Sequence, residues 1–141
     1  MKPFALPSLS VSPAPVALAQ RLPLRIALWL LDRPHLGQAR RIKQFAGRLL
    51  KQPARQGVVM AQSRLGQLLC CECGNARDRR IGLELLRQAS KAGSRPAQLA
   101  LGQLCNQSWV DEPQQARHWL ELAAGQGCDQ ARQLLESPVQ A

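Results

Sequence analysis

An all-α fold is what the sequence predicts, on three observations. The first is composition: the 141 residues are rich in Leu, Ala, Gln and Arg, with no Tyr, two Phe and three Trp. That set forms helices readily and is poor in the residues strands prefer. The second is internal repetition, since residues 61–69 (AQSRLGQLL) align with residues 97–105 (AQLALGQLC) at six of nine positions. The third is helical spacing, with Ile42, Phe45, Ala46, Leu49 and Leu50 recurring at three and four while Arg41, Arg48, Lys51 and Arg55 fall opposite. A period of 34 to 36 residues is that of stacked helix pairs. The expected architecture is a short right-handed α-solenoid of about three antiparallel helix pairs and a closing helix over residues 21–141.

Residues 1–20 are rich in Pro, Ser, Ala and Val without a period and read as a disordered tail. Residues 22–31 are apolar on all sides, which predicts a short buried helix. Arg33-Pro34-His35-Leu36-Gly37 is a turn. The amphipathic helix that follows is expected to end near Pro53, because a proline ring clashes with the preceding turn.

Beyond residue 61 the copies set the elements. At an offset of 36 the two nine-residue stretches coincide. At an offset of 34 Asp78, Leu86, Ala89 and Gly93 fall on Glu112, Leu120, Ala123 and Gly127. Upstream, Leu49-Leu50 and Gly57 precede Leu85-Leu86 and Gly93 by 36, so residues 22–57 read as a diverged basic repeat. Repeats 61–93 and 97–127 follow, and residues 129–136 close the array. Small residues at Ala61, Gly66, Ala97, Gly102, Ala116 and Ala123 let helices approach to about 8–10 Å, with Leu101 and Trp119 filling the space between. Gly93 and Gly127 suit the left-handed position after a helix, and Pro113 a first turn behind a capping Glu112.

Ala97, Leu101-Gly102, Glu112, Ala116, Trp119, Ala123-Ala124 and Gly127 together resemble the Sel1-like repeat, a relative of the tetratricopeptide repeat. The likeness is good over residues 61–135, weak over 22–60 and absent before that. Leu69 and Cys105 stand where that family carries an aromatic residue after its Leu-Gly pair, and its Gly-x-Gly-Val loop is missing. The resemblance implies a non-catalytic interaction module whose concave wall is lined by first helices. The matching positions are Ser63, Gln67, Leu99, Gln103, Asn106 and Gln107, and their polarity suits an extended peptide of a protein partner.

The thiols are weighed against the same frame. Cys70, Cys71 and Cys73 cluster, while Cys105 and Cys128 lie far along the chain. A zinc site favours two separated Cys pairs or a pair with histidines, and only Cys70-x-x-Cys73 is present. Packing is the expected role, with metal and redox roles as the alternatives. His35 and His118 have no motif-spaced nucleophile or acid, and neither a phosphate loop nor a His-Glu-x-x-His motif occurs. No enzyme activity, cofactor or metal is expected.

The net charge of +10 is uneven: residues 1–60 hold ten Lys/Arg against Asp32 alone, and residues 61–141 hold nine against eight acids. The alternative function is therefore nucleic-acid or anionic-surface binding through Arg40, Arg41, Lys43, Arg48, Lys51 and Arg55. Five Cys, an odd number, favour a reducing compartment and hence the cytoplasm. Export would require residues 1–19, ending in Ala17-Leu18-Ala19, to act as a weak signal peptide. The apolar run at 22–31 is far short of the roughly 20 residues that span a bilayer.

Overall fold

The structure, a computed structural model, describes residues 14–72, 75–107, 110 and 112–137. Among these residues there are seven helices and no strand. They are α1 (Ala14–Asp32), α2 (Arg40–Arg55), α3 (Val59–Glu72), α4 (Ala76–Lys91), α5 (Arg95–Cys105), α6 (Pro113–Gly125) and α7 (Asp129–Glu136). Each helix packs on the next, and the first helices α3 and α5 also touch. This is an all-α solenoid of helix pairs.

Inside a pair the helices meet at small residues. A Cβ on Gly66 would lie 2.7 Å from Leu86 Cγ and 2.9 Å from the Gly82 carbonyl, and a Cβ on Gly82 would lie 2.9 Å from the Gly66 carbonyl. The next pair repeats the arrangement with Gly102 against Leu120 Cγ (2.6 Å) and the Ala116 carbonyl (3.3 Å). Leu86 and Leu120 each lie over the bare backbone of the facing helix.

Between pairs the turns are one motif used three times. The Gly93 N–H donates to the Ser90 carbonyl (3.0 Å) and the Ser94 N–H to that of Ala89 (3.0 Å). Gly127 with Cys128, and Gly57 with Val58, repeat the pattern on Ala124 and Ala123 and on Ala54 and Pro53. Such a cap needs a left-handed residue after the helix. Gly93 and Gly127 supply it at φ values of +89° and +85°.

A buried glutamine then fastens each of the first two turns. The Gln62 amide donates to the Ala54 carbonyl (3.3 Å) and the Gln98 amide to that of Ser90 (3.1 Å). Those carbonyls are the same ones that accept from Gly57 and Gly93. Gln62 also donates to Gln88 Oε1 (3.2 Å), and Gln98 Oε1 accepts from Gln126 (2.8 Å), which donates in addition to the Gly93 carbonyl (3.1 Å).

The core runs along the array in three clusters. Ala27, Ala46, Leu50, Ala54, Ala61 and Leu65 join α1 to α3. Leu86, Ala89, Ala97, Leu101, Cys105 and their neighbours join α3 to α6, and Leu120, Ala123 and Ala131 seat α7.

Several expectations are corrected. Residues 14–20, read as tail, are the first turns of α1; residues 1–13 lie outside the described residues. The helix continues through Pro23, because its face through Leu24, Ala27 and Leu31 docks on the cluster below. Nor is this helix buried all round: Ala27 is, but Leu22, Ile26 and Trp29 are about half exposed, since among the described residues its neighbours lie on one side. Phe45 likewise stays 53% exposed. Pro53 does not end α2; its ring is buried in the last turn and the helix stops at Arg55. Glu112 precedes α6 as foreseen, but its carboxylate makes no cap and accepts instead from Arg87 (3.2 and 3.4 Å).

Gly102→Leu and Gly66→Leu are each expected to cost about 1–3 kcal/mol by overpacking, despite the better helix propensity of leucine. Gly47, mid-helix with only Leu65 Cδ1 at 4.0 Å, is the control: Gly47→Ala should gain about 0.5–1 kcal/mol. Denaturant melts of the three variants check the contrast.

Gln98→Leu should lose about 1–3 kcal/mol in the same melts, because the Ser90 carbonyl loses a buried donor and Gln126 a partner. Gln103→Leu, at an exposed position of the same helix, should stay within about 0.5 kcal/mol of the parent.

Candidate binding surface

The first helices α3 and α5 adjoin, and the Gln67 amide spans them by donating to the Pro96 carbonyl (3.3 Å). Beside Gln67 lies a shallow cleft of about 220 Å³ lined by Leu31, Gly37, Lys43, Arg64, Gln67, Leu68 and Cys71. Three elements and a turn build it. Leu31 comes from the end of α1, Gly37 from the connection, Lys43 from the first turns of α2, and the rest from one side of α3. Arg64 is held there by Asp32, with Nη2 and Oδ1 3.0 Å apart. The floor is apolar and the rim carries an ammonium, a guanidinium and an amide, which suits a carboxylate or a backbone carbonyl from a bound chain.

The six residues read as groove positions separate. Gln103, Asn106 and Gln107 are exposed around the end of α5, and Gln67 is half-buried at the cleft. Ser63 is corrected: it is fully buried and its hydroxyl has no hydrogen-bond partner among the described residues, so it cannot meet a ligand. Leu99 is half-buried against the cluster of Leu120, Ala123 and Ala131, where it belongs to the core. Ser63 and Leu99 share a register position, yet the first is closed off in the interior and the second packs on the cluster that seats α7.

Of the basic residues, Arg40, Arg41, Arg48, Lys51 and Arg55 are exposed, and none of these five forms an ion pair among the described residues. Lys43 departs from them by turning into the cleft. Arg64 is the residue that sequence reasoning missed. The available signal was a difference between the copies, since Arg64 aligns with Ala100 in a stretch that matches at six of nine positions.

Cys70 and Cys71 occupy the last turn of α3, and Cys73 lies outside the described residues. Cys70 is buried with its thiol 3.6 Å from the Arg79 carbonyl, whereas Cys71 is exposed at the edge of the cleft. Among the described residues no three His, Cys, Asp or Glu side chains gather as a metal would require. Cys105 is fully buried. Burial first, and the Glu112 carboxylate second, push its thiol above the ordinary value of 9.0, with Arg87 acting the other way. His118 is exposed, its ring edge-on to Trp119 at 5.2 Å, and His35 is exposed in the turn. No helix among the described residues is long and apolar enough to cross a membrane.

Stacked helix pairs, glycine-ended second helices and small residues at the crossings define a helical-repeat protein of the tetratricopeptide-like class. Its repeats are Sel1 repeats: residues 59–94 and 95–128 each match the Sel1 repeat family model. The pair α1 and α2 precedes the matched region. Searches of the curated proteins and of the solved structures gave no match to the chain. Sel1 repeats mediate protein–protein interaction.

In the folded chain Cys71 should be alkylated readily and Cys105 only on unfolding, which mass spectrometry of partially labelled protein reads directly. Above pH 9.0 the unfolded chain ionises this thiol first, so stability falls as pH rises toward the folded value. Cys105→Ala should lack that component of the alkaline slope.

Proposed function

We propose that the protein is a non-catalytic adaptor that holds an extended segment of a partner protein along its first helices. The segment runs from the cleft at Lys43, Arg64 and Gln67 to Gln103 and Asn106 at the end of α5. The observation that carries this reading is that two Sel1 repeats set α3 and α5 side by side, with the polar side chains of Arg64, Gln67 and Gln103 at least partly exposed along them. An amide both donates and accepts, so Gln67 and Gln103, 36 residues apart, suit the alternating groups of an extended backbone. Arg64 and Lys43 would receive an acidic side chain or the segment's terminal carboxylate. The odd number of thiols supports placing this adaptor in a reducing compartment.

The test is affinity capture from the native cell with quantitative mass spectrometry, followed by binding of the purified partner. Gln67→Glu with Gln103→Glu removes donors and adds charge at accessible positions. The pair is expected to lower partner affinity by at least about tenfold while costing about 1 kcal/mol or less in the melt through the lost Gln67–Pro96 bond. Arg48, Lys51 and Arg55 changed together to Gln should bind as the parent does. A partner lost by the basic-face variant and kept by the glutamine variant would overturn the reading.

A further inference from the structure

The opposite end of the array offers a second surface, and it is apolar. α1 has two apolar faces: Leu24, Ala27 and Leu31 dock on the cluster shared with α2 and α3, while Leu22, Ile26 and Trp29 line the other side. Spaced as i, i+4 and i+7, those three remain 58, 48 and 53% exposed. Scattered apolar residues on a surface need no explanation, but a contiguous row of large ones that includes a tryptophan marks a contact.

The spacing says what kind of object fits the row. Leu22, Ile26 and Trp29 share the i, i+4, i+7 spacing of Val58, Gln62 and Leu65. Those are the residues with which α3 receives the helix before it. Leu65 and Val58 pack in the cluster that α2 supplies, and Gln62 bonds to the Ala54 carbonyl at the end of α2. One repeat on, Gln98 and Leu101 receive α4 in the same way. Among the described residues no helix precedes α1 on its comparable face, where Ile26 stands mid-row and no glutamine does.

Charge narrows the class further. Arg21, Arg25 and Arg33 flank the row and are exposed, with the Arg33 guanidinium 4.6 Å from the Trp29 ring centroid. Asp32, the only acid in residues 1–60, is already engaged by Arg64. A two-fold pairing of two copies through this face would set the arginines against one another. An anionic bilayer would match the charge but not the spacing.

We propose that the outward face of α1 is a docking site for an acidic amphipathic helix of a partner protein, seated where the second helix of a preceding repeat would pack. The surface is separate from the face along α3 and α5, and the proposal does not rest on that reading.

The probe is a fluorescently labelled, lactam-bridged peptide of the α2 sequence that keeps Ala46, Leu50 and Ala54 and carries Glu in place of Arg41, Arg48, Lys51 and Arg55. Titrated with the full chain, its anisotropy should saturate. Ile26→Asp and Trp29→Ala should each weaken binding by at least about tenfold, with melts unchanged because both side chains are exposed. A peptide with Lys at the same four positions should bind at least about tenfold more weakly. Gln103→Glu should bind the acidic probe as the parent does, so failure here and failure of the first-helix reading are distinguishable. The proposal is overturned if the parent shows no saturable binding, or if Ile26→Asp binds equally. It is also overturned if sedimentation finds a dimer that Ile26→Asp dissociates, or if phosphatidylglycerol vesicles capture the chain through Trp29 while the peptide does not.

Discussion

One backbone carbonyl per junction does two jobs, and the stacking of the repeats follows from it. At Ala54 and again at Ser90 the oxygen accepts both the glycine N–H that ends the second helix and the side-chain amide of a glutamine on the next first helix. The first bond reverses the chain; the second fixes how far along the new helix the old one's end must lie. With helix end and helix start tied to the same atom, the crossing is set before any apolar contact is counted. Gly66 on Gly82 and Gly102 on Ala116 then face each other at backbone distance. The third turn keeps the glycine bond, but position 132, 34 residues after Gln98, is an arginine paired with Asp129. There α7 is held mainly by Ala131.

Two ion pairs tie neighbouring units, whereas Arg117–Glu121 and Arg132–Asp129 each lie within a single helix. Asp32 reaches from the first pair to Arg64 in the second, and Arg87 from the second pair to Glu112 in the third. Both pairs are partly exposed, so each contributes about 1 kcal/mol or less. Their effect is positional: Arg64 is held at the cleft, and Glu112 and Arg87 lie close enough to Cys105 to act on its thiol.

How much of this was legible in the sequence depended on whether a feature repeats. The period, the turn glycines and the small residues at the crossings recur because the packing they serve recurs, and the fold class followed from them. The ends of the array have no copy to be compared with. An apolar helix at 22–31 reads as buried because periodicity counts apolar faces but not neighbours, and α1 has one apolar face more than the described residues cover. Polar positions misled for a related reason. Gln62 and Gln98 align as perfectly as Gln67 and Gln103, yet the first two are buried fasteners, while Gln103 lies open on the surface. Alignment within a repeat shows that two residues share a register and is silent on whether that register faces a carbonyl or water. At the candidate surface Ser63 and Leu99 were lost to the core and Arg64 was gained, and the useful clue was disagreement between the copies.

Because the first two junctions are each complete in themselves, with a glycine, a glutamine five residues later and a carbonyl three residues before, array length is a separable variable. A duplication that copies the stretch from one junction to the next reproduces both halves of the fastening in phase, and the duplicated unit presents its neighbours with the faces they already accept. A duplication out of phase separates the glutamine from its carbonyl and leaves a buried amide without that acceptor. Such a chain can therefore change in evolution by whole units far more easily than by fractions of one, and its reach along a partner can grow in steps without its interior being redesigned.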